Sequence, residues 1–366
     1  MKLRLRPTVF FATLVLLGAL SLARAASAEA LPPYAPPAEK LSGVLRNYGN
    51  GYAGVLKKWE EGFRRFHPGV TFADTLPTSD AAFAALITGV TDLAPDGSEP
   101  ALTETLGFFE VYGYHATAIT VASGTFDTEG RSPGMVIFVH RDNPLEKLTL
   151  AQLDGIFGAE RTGGLRGFKW SAEDARGPEK NLRTWDQLGL GGEWVGQQIQ
   201  TYGHAPSGAS RFFQYHILKN SDKWNPNYRG YVETGSKMIG DSDKATQRLG
   251  IRFMLENELA RDRRGIAWTI MPQAKGVAGI KPLALAASGG QPYVVPSRAT
   301  FQDRTYPLVR SIYIYLNRKP GVPVEPKARE FLRFILSREG QAIVEADGGF
   351  LPLPAPFAAE QRAKLD

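Results

Sequence analysis

The sequence predicts an α/β chain folded as two lobes. Strand, turn and helix alternate twice between Leu41 and Thr88, which is the pattern of parallel pairing in an α/β sheet. About 340 residues remain beyond an N-terminal leader, more than one hydrophobic core ordinarily supports. A hydrophobic content of 43%, with 20 Phe, 13 Tyr and 6 Trp, is enough to pack two cores.

Residues 1–28 read as a secretory signal peptide. Lys2, Arg4 and Arg6 precede the apolar run Val9 to Leu20, and Ala23-Arg24-Ala25 and Ala26-Ser27-Ala28 offer two cleavage sites. Residues 29–40 form a proline-rich leader, and Leu31 to Pro37 is expected to be a mobile polyproline segment. Leu41 to Tyr48 reads as a strand closed by Gly49-Asn50-Gly51. Val55, Leu56, Trp59, Phe63 and Phe66 then recur at helical spacing until His67-Pro68-Gly69 ends the run. Val70 to Leu76 is a second strand, and Thr78-Ser79-Asp80 caps a helix that runs to Thr88. Both turns therefore fall at the carboxyl edge of the sheet, where open α/β sheets bind ligands.

His115 to Val121 and Met135 to His140 read as strands, and Thr149 to Phe157 as a capped helix. Arg161 to Gly192 is glycine-rich, charged and expected to be irregular. Arg211 to Leu218 and Asp243 to Ala260 read as helices, and Gly265 to Ile270 and Val309 to Leu316 as strands. Pro326 to Ala346 reads as one amphipathic helix.

The chain has no cysteine, which excludes disulfides, a Cys-linked lipid anchor and thiolate metal chemistry. Of the net charge of +6, four positive charges (Lys2, Arg4, Arg6 and Arg24) leave with the leader, so +2 remains. That balance gives no argument for nucleic acid or membrane partners. The five histidines show no metal-ligand spacing, and neither metal nor cofactor is expected.

The stretch Thr201 to Phe213 places Ser207, Gly208, Ala209 and Ser210 just before a helix-like run. Such a loop directs backbone N–H groups and the helix dipole at an anion. An ordinary N-cap is the alternative reading. A hydrolase reading would combine His204, Ser207 and Asp92, but the chain lacks a Gly-x-Ser-x-Gly elbow, so no catalytic residue is expected.

Several segments together resemble the phosphate-type substrate-binding proteins of ABC transporters. They are Asn47-Tyr-Gly-Asn50, Gly89-Val-Thr-Asp-Leu-Ala94, Asp142-Asn-Pro-Leu145, Leu148-Thr-Leu-Ala-Gln-Leu153, Thr184-Trp-Asp-Gln-Leu-Gly189, Pro206-Ser-Gly-Ala-Ser-Arg-Phe-Phe213, Gly265-Ile-Ala-Trp268 and Tyr306-Pro-Leu308, with Phe331 to Gln341. The resemblance implies a two-lobe periplasmic binding protein type II fold, with mixed sheets flanked by helices and two crossover hinge strands. One lobe would comprise 41–113 and 306–366, the other 136–300, with hinges at 114–135 and 301–305. It further implies a monomer in the periplasm that delivers a small anionic ligand to an ABC permease.

Three loops would hold that ligand, namely Gly49-Asn50, Thr78-Ser79 and Ser207 to Ser210. Asp92 would accept a proton-bearing ligand oxygen or cap a turn at the hinge. Against the family pattern, Asn50 stands at a hydroxyl position, Asp80 at a glycine, His204 at an arginine and Ala209 at a threonine. His204 in place of arginine offers one donor instead of a bidentate fork and predicts anion affinity that falls as pH rises through its pKa. An anion-bearing metabolite is therefore an alternative ligand, and a periplasmic sensor without transport is an alternative role.

Overall fold

The computed structural model describes residues 31–166, 169–233 and 250–366. The expected signal peptide and the first turns of the helix expected from Asp243 lie outside these residues. The strands in chain order are β1 (Ser42–Tyr48), β2 (Gly69–Thr75), β3 (Ala94–Asp96), β4 (Thr117–Ser123), β5 (Met135–His140), β6 (Lys147–Thr149), β7 (Gly164–Arg166), β8 (Lys169–Ser171), β9 (Gln200–His204), β10 (Arg229–Tyr231), β11 (Gly265–Ile270), β12 (Ile280–Pro282), β13 (Ala284–Ala286) and β14 (Ser311–Leu316). The first five α-helices among the described residues are α1 (Val55–Arg64), α2 (Ala82–Ile87), α3 (Leu102–Tyr112), α4 (Leu150–Phe157) and α5 (Gly208–His216).

In the first lobe β1 pairs parallel with β2, as the strand–turn–helix pattern requires, and a parallel bridge from Asn47 to Leu93 joins β1 to β3. β14 runs antiparallel to both β3 and β4, so the strands lie in the order β2-β1-β3-β14-β4. The second lobe repeats the plan as β10-β9-β11-β5-β12, with β9 parallel to its neighbours and β5 reversed between β11 and β12. In each sheet the reversed strand is the one that has just arrived from the other lobe. Two interlobe passages thus produce both mixed sheets.

Each lobe has its own core. α1 and the helices Pro326–Ile335 and Arg338–Asp347 bury Trp59, Phe63, Phe331 and Phe334 against the first sheet. The second lobe is packed by Phe157, Trp185, Phe212, Phe213 and Trp268. Along the passages, Gly124 N donates to Arg310 O and Met135 N to Leu308 O, so the two crossing segments run side by side. Tyr306 and Leu308 belong to the second core and Ile312 to the first, which places the second crossing between them.

Two local expectations change. The segment expected to be mobile is docked: Tyr34 is buried, its hydroxyl lies 2.7 Å from His67 Nε2, and its ring packs edge-on against Phe334 at 5.5 Å. Burial of one tyrosine and a buried hydrogen bond outweigh the tendency of a proline-rich strand to stay solvated. The expected single helix from Pro326 to Ala346 is broken at Ser337, whose extended backbone caps a second helix, with Oγ accepting from Gly340 N at 3.3 Å. Both helices bury one face against the same core, so the apolar period continues across the break.

Candidate functional site

The first rim of the interlobe cleft is the carboxyl edge of β1 and β3. Gly49 leaves β1 with φ +146°, and a Cβ there would lie 2.2 Å from Pro95 O, so only glycine lets the two strands converge. Gly49 N donates to Thr75 O and Asn50 N to Pro95 O. This corrects the expectation that their amides hold a ligand, because the sheet already uses them. Asn50 acts through its side chain: Oδ1 accepts from Tyr52 N at 2.7 Å and Nδ2 donates to Ser79 Oγ at 3.0 Å. Ser79 Oγ also accepts from Gly97 N at 3.1 Å, and Ser132 Oγ donates to Gly97 O at 2.8 Å. A Cβ on Gly97 would stand 3.1 to 3.6 Å from Ser132 Oγ, Asn50 Nδ2 and Ser79 Oγ, which marks a small polar cradle. Thr78 is exposed and makes no side-chain cap.

Asp96 closes the base of this cradle. It is buried, and its Oδ1 accepts from Ser98 N at 3.0 Å and from Ser98 Oγ at 3.1 Å. Burial pushes its carboxyl up to about 7, although hydrogen bonds from Ser98 and Ser79 pull the other way. Asp92, the acid expected here, lies before β3, at the opposite end of the strand. It makes a bidentate pair with Arg46, at 2.6 and 3.1 Å, and also accepts from Arg46 N. Burial would raise the Asp92 carboxyl, but the Arg46 contacts hold it below the usual range. Its role is structural because an aspartate that precedes a parallel strand emerges at the amino edge, away from the ligand side.

The second rim is the start of α5. Ser207 is its N-cap, with Oγ accepting from Ser210 N at 3.3 Å, while Ser207 N donates to Ser210 Oγ at 2.7 Å. The Ser210 hydroxyl also donates to Ser207 O at 2.9 Å, so it is turned back into the cap and away from the cleft, a second correction. Ala209 packs its methyl into the second core. The amides of Gly208 and Ala209 meet no acceptor within the described residues, as expected for the first turn of a helix. The amides of Ser79 and Asp80 on the first rim are likewise unbonded among the described residues. Arg211 Nη2 lies 3.3 Å from Asp80 Oδ1 and ties one rim to the other.

His204 does not reach the cleft. It lies on β9 inside the second lobe, stacked on Trp268 at 4.9 Å with Nε2 2.9 Å from Thr269 Oγ1. Burial, reinforced by the nearby charge of Arg310, lowers it to about 3, which favours the neutral imidazole and removes the ground for the pH response expected from it. The hydrolase constellation does not form either: His204 is engaged by Thr269, Asp92 by Arg46 and Ser207 by Ser210. Among the described residues no three His, Asp or Glu side chains gather as a metal cluster, and no helix is long and apolar enough to cross a membrane.

Sequence reasoning misses Asp96, Gly97 and Ser132. Asp96 carries a usable signal, since it follows Leu93-Ala94-Pro95 and so stands at the carboxyl end of the third strand. Ser132 carries none, because only the interlobe passage brings it to Gly97.

The sequence matches a PBP superfamily domain over residues 51–339. It is 29% identical over 352 residues to the phosphate-binding protein PstS of Pseudomonas aeruginosa, covering 95% of both chains. It is 22% identical over 333 residues to the PstS of Staphylococcus saprophyticus, covering 89% of this chain and 86% of that one. The crystal structure of PstS from Borrelia burgdorferi shares the fold with a TM-score of 0.51 at 13% identity, covering 86% of this chain and 99% of the other. Two lobes with matching sheet order, a polar cradle between them and a domain match over most of the chain agree: this protein belongs to the PBP superfamily.

Proposed function

We propose that this chain is a periplasmic solute-binding protein that captures phosphate between its lobes and delivers it to an ABC permease. The observation that carries the reading is Asp96, a buried acid at the base of the cradle whose Oδ1 accepts from Ser98 N and Ser98 Oγ. An ionised carboxylate only accepts hydrogen bonds, so beside an oxyanion it requires a ligand that brings its own proton. Phosphate keeps a proton at neutral pH and sulfate does not. Donors to the remaining oxygens are the free amides of Ser79, Asp80, Gly208 and Ala209, with Asn50 and the hydroxyls of Thr78 and Ser207 at the rims.

The relatives that match along nearly the whole chain are phosphate-binding proteins, which supports binding without catalysis. The signal-type N-terminus supports export to the periplasm, and a monomer is the simplest form for a protein whose lobes close on one ligand. An anion-bearing metabolite is the second reading. A cavity of about 300 Å³ between the lobes, lined by Glu99, Thr105, Tyr215, Tyr313 and Tyr315, would take its organic part.

Titration calorimetry of the mature protein with inorganic phosphate, sulfate and a set of carboxylates and phosphomonoesters decides between them. At about pH 8.5, where Asp96 is ionised, binding of phosphate with no response to sulfate is the expected result. Binding of an organic acid alone would move the reading to the metabolite. Ligand binding also raises the unfolding midpoint, by about 2.7 kcal/mol of stability at a hundredfold excess over Kd.

A further inference from the structure

Arg310 lies on the second interlobe passage and is 8% exposed. Its backbone carbonyl accepts from Gly124 on the neighbouring passage, and its guanidinium carbon stands 5.6 Å from the ring of Phe212, one turn into α5. Nε is buried with no partner, and the guanidinium makes no ion pair or hydrogen bond among the described residues. The nearby acids are otherwise engaged or held back. Glu99, three residues beyond Asp96, accepts from Tyr313 Oη at 3.2 Å and sits 3.6 Å from His216 Nε2. Burial would raise Glu99, but His216 and Arg310 bring it below the usual carboxylate range, so the positive charge is close to Glu99. A Cβ on Gly124 would meet both Ser132 O and Arg310 Cβ, which sets the arginine beside the cradle. Glu233 is pushed up by burial, and no ion pair joins it to Arg310. A buried Nε–H without an acceptor, on a guanidinium with no ion pair among the described residues, is unfavourable unless something meets it. A position beside Ser132 of the cradle and Phe212 of α5 fits an anion.

We propose that Arg310 is the cation of the anion site, reaching the ligand from the hinge passage and binding two of its oxygens through the guanidinium fork. It takes over the charge that His204, neutral and turned into the second lobe, does not supply. Because the passage carries the arginine, the charge stays with the hinge while both rims close on the ligand, and neither lobe holds the full donor set alone. This inference rests on the phosphate reading above.

The test is calorimetry with inorganic phosphate on the mature wild-type protein, Arg310→Gln and Arg310→Lys, with ligand-free thermal unfolding of each. Arg310→Gln is expected to weaken phosphate binding about ten- to a hundredfold, and Arg310→Lys, which keeps the charge and loses the fork, about tenfold. Neither should lower the ligand-free midpoint by more than the loss of the Phe212 contact, because the guanidinium has no hydrogen bond or ion pair to lose among the described residues. Wild-type affinity in both variants would overturn the proposal. A lowered midpoint with unchanged affinity would also overturn it and assign Arg310 to the fold. If Arg310→Gln does not fold, Arg310→Lys alone decides by the same two readouts. Absence of phosphate binding by the wild type overturns the parent reading, and this proposal with it, whereas wild-type binding with indifferent variants overturns this proposal alone.

Discussion

Burial holds the Asp96 carboxyl near 7, and this single value links selectivity to stability. Above that pH the group is ionised and repels an oxyanion without a proton; below it the acid can donate to either ion. The phosphate-to-sulfate affinity ratio is therefore expected to rise between about pH 6 and pH 8.5, and a flat ratio would remove Asp96 from the ligand. The same raised pKa means that the native state binds a proton more tightly than the unfolded chain. Its stability contribution is full below the unfolded value of 3.8 and is lost as pH rises through about 7. Asp96→Asn should thus raise the ligand-free unfolding midpoint at pH 8 while abolishing discrimination against sulfate. The gain is bounded by about 4 kcal/mol, at 1.4 kcal/mol per pKa unit. His204 has the opposite sign. With its folded value lowered to about 3, the native state loses stability as pH falls below 6.5, and its imidazole signals should stay flat from about pH 5.5 to 8 by NMR.

At the scale of elements, α5 has its first turn fixed by reciprocal Ser207 and Ser210 hydrogen bonds. From sequence alone, Ser207→Ala would weaken binding with little effect on the fold. The cap geometry adds a cost of about 1 kcal/mol of stability, readable in urea unfolding, because Ser210 N loses its acceptor. The convergence of β1 and β3 is more demanding. Gly49→Ala places a methyl carbon 2.2 Å from Pro95 O at a backbone angle that side chains rarely adopt, so roughly 3 kcal/mol of destabilisation is expected, together with loss of the Asn50 and Ser79 arrangement. Chemical denaturation of Gly49→Ala against Gly51→Ala, which has no positive φ, would separate the clash from a general loop effect.

For the whole molecule, the two sheets share one strand order because the chain changes lobes twice, and each arriving strand enters its new sheet reversed. The lobes then face one another through few direct polar links among the described residues. The Arg211–Asp80 pair is half exposed or more on the aspartate side, so it contributes at most about 1 kcal/mol to closure. Asp80→Asn should accordingly change phosphate affinity by less than about fivefold, a difference that calorimetry at low and high salt would resolve. A loss of several orders of magnitude would instead mean that the pair itself holds the closed form.

Local physics, legible in the order of the residues, governs one set of features. The period of α1, the glycine turn at Gly49-Asn50-Gly51, the Ser207 cap and the strand–turn–helix order that forces β1 and β2 parallel all depend on neighbours within a few residues. Features that join residues far apart along the chain emerge only on folding, so packing set them. It determined which of Asp92 and Asp96 stands at the carboxyl edge and which amides the sheet had already used. It also determined that His204 points into the second core and that Arg310 returns between the lobes. Burial and hydrogen-bond partners are properties of packed neighbours, and those of Asp96, His204 and Arg310 include Tyr313, Thr269 and Gly124, all far away along the chain.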